Sequence, residues 1–154
     1  MSEILVNGQP TRNRCSTYFK ITGDFDPEAV TALLGLQPDE KWKRGELMHK
    51  GHASMRREGL TYAFSAWMFG RCDEYDPYVA TQMRKTIAPL LAKVDLLKRI
   101  REENDVEFCL EIVPNIYAGD VNPCLAPPMD VIDFCHATRT EIDIDMYIYD
   151  STDE

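Results

Sequence analysis

Three groups of side chains in this sequence carry chemistry. The first is thiol and imidazole. His49-Lys50-Gly51-His52 places two imidazoles close together and Cys135-His136 joins a thiol to a third, while Cys15, Cys72, Cys109 and Cys124 stand alone. Structural zinc needs four converging nitrogen or sulfur ligands, usually in paired short spacings. Neither Cys-x2-Cys nor His-Glu-x2-His occurs, so no metal site is assigned. A Cys135–imidazole nucleophile would be a pairing in space, which a sequence does not display.

The second group is carboxylate. Glu141, Asp143 and Asp145 share one face of an alternating segment. Three converging acids could hold a divalent cation or move protons. The calcium-loop pattern fails, because Tyr147 stands at the third ligand position and no glycine follows. A solvated sheet face is the expectation, where stacked acids also deter edge-to-edge pairing.

The third group is cationic. Lys41–Arg57 contains six Lys or Arg residues against Glu46 alone. Lys41-Trp42-Lys43-Arg44 interleaves an aromatic with cations, a composition that stacks on a ring or base while pairing with phosphate or carboxylate. The candidate ligand- or partner-binding residues are therefore Lys41, Trp42, Lys43, Arg44, His49, His52, Arg56 and Arg57. The competing expectation is an exposed loop whose Trp42 packs back onto the sheet, and it is favoured because tryptophan is highly buried on average. Gly45 and Gly51 do not form a phosphate loop, since His52 follows where Lys-Ser/Thr is required. A Gly-x-Ser-x-Gly elbow and a dinucleotide fingerprint are also missing. No catalytic residue and no cofactor is assigned.

These groups must be positioned by regular elements. Residues 1–13 read as a loose leader, with Ile4–Val6 placed on a sheet edge. Ser16–Gly23 alternates as a strand. Asp24 or Asp26 caps a helix with Pro27 at its first position, and Gly35 ends it. Asp39–Gly59 is a long loop with short strand pieces, and Leu60–Gly70 a strand. Tyr78–Asn104 has helical spacing, with a kink or break at Pro89. Asp105–Val113 is a strand with Val106, Phe108, Leu110 and Ile112 facing inward, and Pro114–Ala126 a loop. Pro127 and Pro128 start a helix with Met129, Ile132 and Cys135 or His136 in one stripe. Ile142–Tyr149 is a strand with Ile142, Ile144, Met146 and Ile148 inside.

Clean alternation means a sheet with one wet face. That predicts an α+β, two-layer fold: a mainly antiparallel sheet with helices packed on one face. The chain has 154 residues, the size of one domain, assigned to 14–150 with an acidic tail at 151–154. An odd number of five irregularly spaced cysteines argues for a reducing compartment, and the expected location is the cytoplasm. No window approaches the roughly 20 apolar residues of a membrane span, and the start lacks the features of a signal peptide. The net charge is −9, and residues 141–154 hold six acids and no Lys or Arg. Such a field repels nucleic acid and anionic membrane, so those partners are not expected.

The order of motifs resembles a bacterial family known only as domain of unknown function 4279. It is carried by Ile21–Asp24, Pro27–Leu36, Pro38 and Arg44-Gly45-Glu46, then Ser65 and Trp67, then Ile142-Asp143-Ile144-Asp145-Met146-Tyr147. Arg44 stands where the resemblance implies Lys, and Glu46–Gly59 is an extended loop. The resemblance implies no activity and no site residue. The functional expectation is a non-enzymatic protein-interaction module, one version being an immunity-like neutraliser of a basic partner. The alternative is a binder of a small anionic ligand or single-stranded nucleic acid through residues 41–57. An enzyme with an unrecognised cleft is the third class.

Overall fold

The computed structural model describes residues 3–49 and 59–150. Its frame is a long antiparallel pair, β3 (Arg14–Asp24) and β6 (Asp105–Tyr117), in register from Arg14 opposite Asn115 to Asp24 opposite Asp105. Alternation decides which face is buried. Cys15, Thr17, Phe19 and Ile21 of β3 enter the core, and Val106, Phe108, Leu110 and Ile112 of β6 join them, as the sequence predicts for that strand. At Gly23 the strands approach so closely that a Cβ would lie 2.2 Å from the Asp105 carbonyl oxygen, so glycine is obligatory there.

β5 (Ser65–Cys72) pairs antiparallel with β3, and β4 (Glu40–Trp42) pairs antiparallel with β5. Beyond β6 lie β7 (Thr140–Ile144) and β8 (Tyr147–Tyr149), both parallel to it. The sheet order is β4-β5-β3-β6-β7, with β8 also on β6. Three of these five kinds of pairing are antiparallel, which gives the expected α+β fold.

The helices are α1 (Pro27–Leu34), α2 (Ala80–Ile87), α3 (Val94–Glu103) and α4 (Met129–Thr138). Asp26 caps α1 by accepting from the Glu28 amide at 3.0 Å, and Gly35 closes it at φ 67°. Pro89 breaks the expected long helix, and Ala88–Lys93 becomes a 3₁₀ segment between α2 and α3. All four helices contribute to a single core against one sheet face, around Trp67, Phe19, Phe108, Leu34, Met83 and Leu97.

α2 is also tied down by polar groups. The β3–β5 register shifts between Thr17 and Phe19, a bulge that places Gly70 at φ 74°. Gln82 of α2 donates to the carbonyls of Cys15 at 2.7 Å and Cys72 at 3.0 Å. Thr86 donates to the Gly70 carbonyl at 2.7 Å and sits 2.8 Å from the Thr17 hydroxyl. These buried side chains serve the backbone groups that the irregular ladder exposes.

Several expectations need correction. Residues 4–11 form a separate hairpin, β1 (Ile4–Val6) with β2 (Gln9–Thr11), instead of a loose leader or a sheet-edge strand. Asn7 and Gly8, both at positive φ, make its turn, a strong hairpin signal. The strand near Leu60 begins only at Ser65, and β6 runs on through Pro114 to Tyr117. α4 buries Val131, Phe134, Cys135 and Thr138, while Met129 and Ile132 are exposed, so its inner stripe is rotated from the expected one. Ile144 and Met146 share the helix-side parity of Ile142 but are 40% and 43% exposed. The helix layer covers β7 only near its start, with Ile142 packed against the core.

Leu110→Ala should cost about 2–5 kcal/mol, the range for buried large-to-small changes, whereas Ile144→Ala should cost under about 1 kcal/mol. Denaturant titration of both variants checks the difference. Gln82→Ala should cost about 1–3 kcal/mol, because two backbone carbonyls lose a buried donor.

Candidate functional site

Among the described residues no helix packs on the sheet face away from the main core. Its residues come from alternate positions: Tyr18 and Lys20 of β3, Cys109 and Glu111 of β6, and Glu141 and Asp143 of β7. At its centre Glu111 is only 5% exposed. Lys20 Nζ lies 2.8 Å from Glu111 Oε1, and the Cys109 thiol donates to the same oxygen at 3.4 Å. The register sets Asp143 directly opposite Glu111, and their carboxyl groups are in hydrogen-bonding contact.

Burial is the main reason that the Glu111 carboxyl is pushed above its ordinary range. The Asp143 contact acts in the same direction, and Lys20 opposes it. Burial would lower the Lys20 ammonium, but contact with Glu111 outweighs it and holds that group above its usual value. Burial, then Glu111, pushes the Cys109 thiol up to about 12. Burial likewise takes Cys15 to about 12 and Cys135 to about 11. These thiols are protonated at neutral pH, which makes them poor nucleophiles. Lys20 is a fixed positive charge and no general base. What distinguishes this face is the Glu111 carboxyl, raised by burial, with Asp143 beside it on the neighbouring strand.

The same β7 segment continues at the end of the sheet. Thr140 lies opposite Phe108 and Tyr147 opposite Asn115, an offset of 32 positions in both cases, so β7 and β8 keep one register along β6. The interruption at Asp145–Met146 faces Pro114, which has no amide hydrogen to offer. Along this edge Glu141, Asp143 and Asp145 are exposed on the open side. Ile144, Met146, Tyr147 and Ile148 are 40%, 43%, 48% and 70% exposed.

The basic segment occupies the opposite edge. Trp42 ends β4 and is 8% exposed. It stacks on Tyr62 with centroids 4.6 Å apart, and its Nε1 donates to the Phe64 carbonyl at 3.1 Å. With Tyr62 and Ala66 it forms a small second core on the open side of the sheet. Lys41 pairs with Glu28 of α1, and Arg44 Nη1 lies 3.6 Å from Asp24. His49 Nδ1 is 4.0 Å from Glu40, an ion pair only when the imidazole is protonated. A hollow of about 310 Å³ brings Lys41, Trp42, Lys43 and His49 together, but Asp26, Glu28 and Glu46 line it too. Arg44 is not among its lining residues, and His52, Arg56 and Arg57 lie outside the described residues. Among the described residues no three His, Cys, Asp or Glu side chains form a metal-binding group, and no helix is long and apolar enough to cross a membrane.

Sequence reading missed the Glu111–Asp143 pair. Glu111 stands in an apolar run as the outward residue of its strand, and its partner is fixed only by the parallel register of β7. The alternation of β6 was a signal for its face but not for its neighbour.

Two measurements follow from this geometry. A carboxyl raised in the folded state stabilises the fold most when both states are protonated. That contribution is lost as pH rises from the ordinary Glu value of about 4.3 through the raised folded value. Wild type should therefore lose more stability than Glu111→Gln over that interval, as read by denaturant melts at stepped pH. Trp42→Ala should destabilise by about 3–5 kcal/mol at most, as for other buried aromatic truncations, and thermal melting checks it.

Comparison with curated proteins and with solved structures gives no match. The family comparison does: residues 13–149 match the family described as a domain of unknown function, DUF4279. The matched span runs from the start of the β3–β6 frame to the end of the β8 edge, and on that ground the chain belongs to this family.

Proposed function

We propose that the chain is a non-enzymatic protein-interaction module, acting in the cytoplasm, that captures a basic protein partner on the acidic end of its sheet. Neutralising a toxic basic enzyme, in the manner of an immunity protein, is one form this would take. The observation that carries the reading is the β7–β8 edge. Exposed acids and exposed apolar side chains alternate there in one register at the end of the sheet. An apolar stretch rimmed by charge marks an interaction surface more often than an inert one. The single sign of charge selects the partner, since complementary fields steer association and mismatched ones repel. The protonated thiols of Cys15, Cys109 and Cys135 support a role in binding over one in turnover.

A second reading, capture of a small anionic ligand, has the hollow at Lys41, Trp42, Lys43 and His49 in its favour. The acids Asp26, Glu28 and Glu46 in the same lining weigh against it.

The test is retention of basic proteins by the immobilised chain across a salt gradient. Glu141→Lys with Asp145→Lys should abolish salt-sensitive retention, because both residues are exposed and their replacement leaves the core intact. Lys43→Ala should leave it unchanged. Equal retention by the charge-reversed variant would overturn the reading. Loss with Lys43→Ala, accompanied by phosphate or oligonucleotide binding, would favour the second.

A further inference from the structure

The interaction reading leaves open how a partner would engage the sheet, and the backbone of the edge answers this. In the parallel ladder the amide of Asp145 donates to the Ile112 carbonyl at 2.8 Å, and the Ala118 amide donates to the Tyr149 carbonyl at 2.8 Å. Residues 145 and 149 therefore turn their backbone groups toward β6. Strand alternation then turns the N–H and C=O groups of Ile142, Ile144, Met146 and Ile148 away from the sheet. Among the described residues those outward groups have no strand partner, because β7 ends the sheet order. Ten residues in one register make an edge roughly 30 Å long at about 3.3 Å per residue. Such an edge is a template for another strand.

We propose that the partner adds a β-strand along the β7–β8 edge, with basic side chains on the open side and apolar side chains on the helix side. This rests on the interaction reading above and specifies its mode. Glu141, Asp143 and Asp145 would meet the basic side chains. Ile144, Met146 and Ile148, which are 40%, 43% and 70% exposed, would meet the apolar ones. At the start of the edge a groove of about 800 Å³ beside α4, lined by Ile132, Thr140 and Ile142 and also by Lys98 and Arg139, gives apolar side chains room while its two cations keep the basic ones to the open side. A second copy of this chain is a poor occupant. It would bring the same three acids alongside these, on a molecule of net charge −9. Alternation supplies specificity and the backbone supplies the pairing, the division of labour in strand addition.

The probes are four labelled ten-residue peptides and their binding to the full chain by fluorescence anisotropy. One alternates Lys and Val, one has the same composition in two blocks, and the alternating one is also made N-methylated on either set of alternate residues. Strand addition predicts that the alternating peptide binds at least about tenfold tighter than the block peptide, a gap of about 1.4 kcal/mol. It predicts that methylating one alternate set costs at least about tenfold while methylating the other does not, since only one set faces the edge. Met146→Pro removes an outward amide that the fold does not use, at an edge position where proline is tolerated. That variant should melt normally and lose at least about tenfold in affinity. If it unfolds, the methylated peptides still decide the question with the native chain.

Equal binding of the alternating, block and both methylated peptides, still abolished by Glu141→Lys with Asp145→Lys, would overturn strand addition and leave the acidic interaction surface standing. Absence of binding by any peptide, or binding indifferent to that charge reversal, would overturn both. A concentration-dependent dimer in sedimentation, lost in Met146→Pro, would make a second copy the occupant and overturn the basic partner.

Discussion

A strand of thirteen residues must find partners for its backbone along both of its edges. β6 is that strand, and the rest of the sheet is arranged around its need. On one side β3 pairs with it over eleven positions, held close by Gly23. On the other side the chain returns through α4 and lays down β7 and β8 in parallel. Pro114 withholds one amide from that second ladder, and the strand there divides in two at the corresponding point. The register survives the gap, so the edge remains one edge. Antiparallel pairing alone would have needed only hairpins. The parallel return demands a crossover, which is why a helix stands between β6 and β7.

Helices cover one sheet face because the connections that carry them all lie on that side. The tie between α2 and the β3–β5 bulge adds directional contacts to the apolar packing of this layer. A bulge leaves carbonyls without ladder partners, and Gln82 and Thr86 are placed to serve them. Gly70 is needed at the same spot, because a Cβ there would lie 2.7 Å from the Thr86 carbonyl oxygen. Among the described residues the opposite face receives no helix and handles its own exposure differently. Trp42 and Tyr62 build a small local core at one end. At the other, Lys20, Glu111 and Asp143 form a polar cluster whose central carboxyl is buried by its neighbours.

Legibility in the sequence followed the range of each interaction. Helix ends marked by Asp26, Pro27, Gly35 and Pro89 are local, and the structure has each of them. The alternation of β3 and the inward face of β6 were equally plain, since period-two alternation needs no knowledge of the partner. Pro114 misled, because a proline inside a strand is tolerated only where its missing amide falls opposite an irregularity, and that irregularity belongs to another segment. Ile144 and Met146 alternate as core residues do. Whether anything covers them depends on where α4 stops, which no pattern within residues 142–149 encodes. The candidate cations illustrate the same limit. Lys41 and Arg44 look like an unopposed cluster along the chain, yet Glu28 and Asp24 reach them across the fold.

The acids at 141, 143 and 145 connect the stability of the chain in solution with its proposed task. An edge carrying exposed Ile144, Met146 and Ile148 has the pattern that templates aggregation. A row of carboxylates on the neighbouring positions opposes pairing with an identical edge, because like charges facing each other across a ladder are unfavourable. The same row does not oppose a strand of opposite charge. It excludes the copy and admits the complement, and it does so without closing the backbone groups that strand pairing uses. A lysine row would have excluded the copy equally well. On the proposed reading, the choice of acid over lysine is where this edge encodes its partner, and the net charge of −9 extends that preference beyond contact distance to the approach of the partner through solvent.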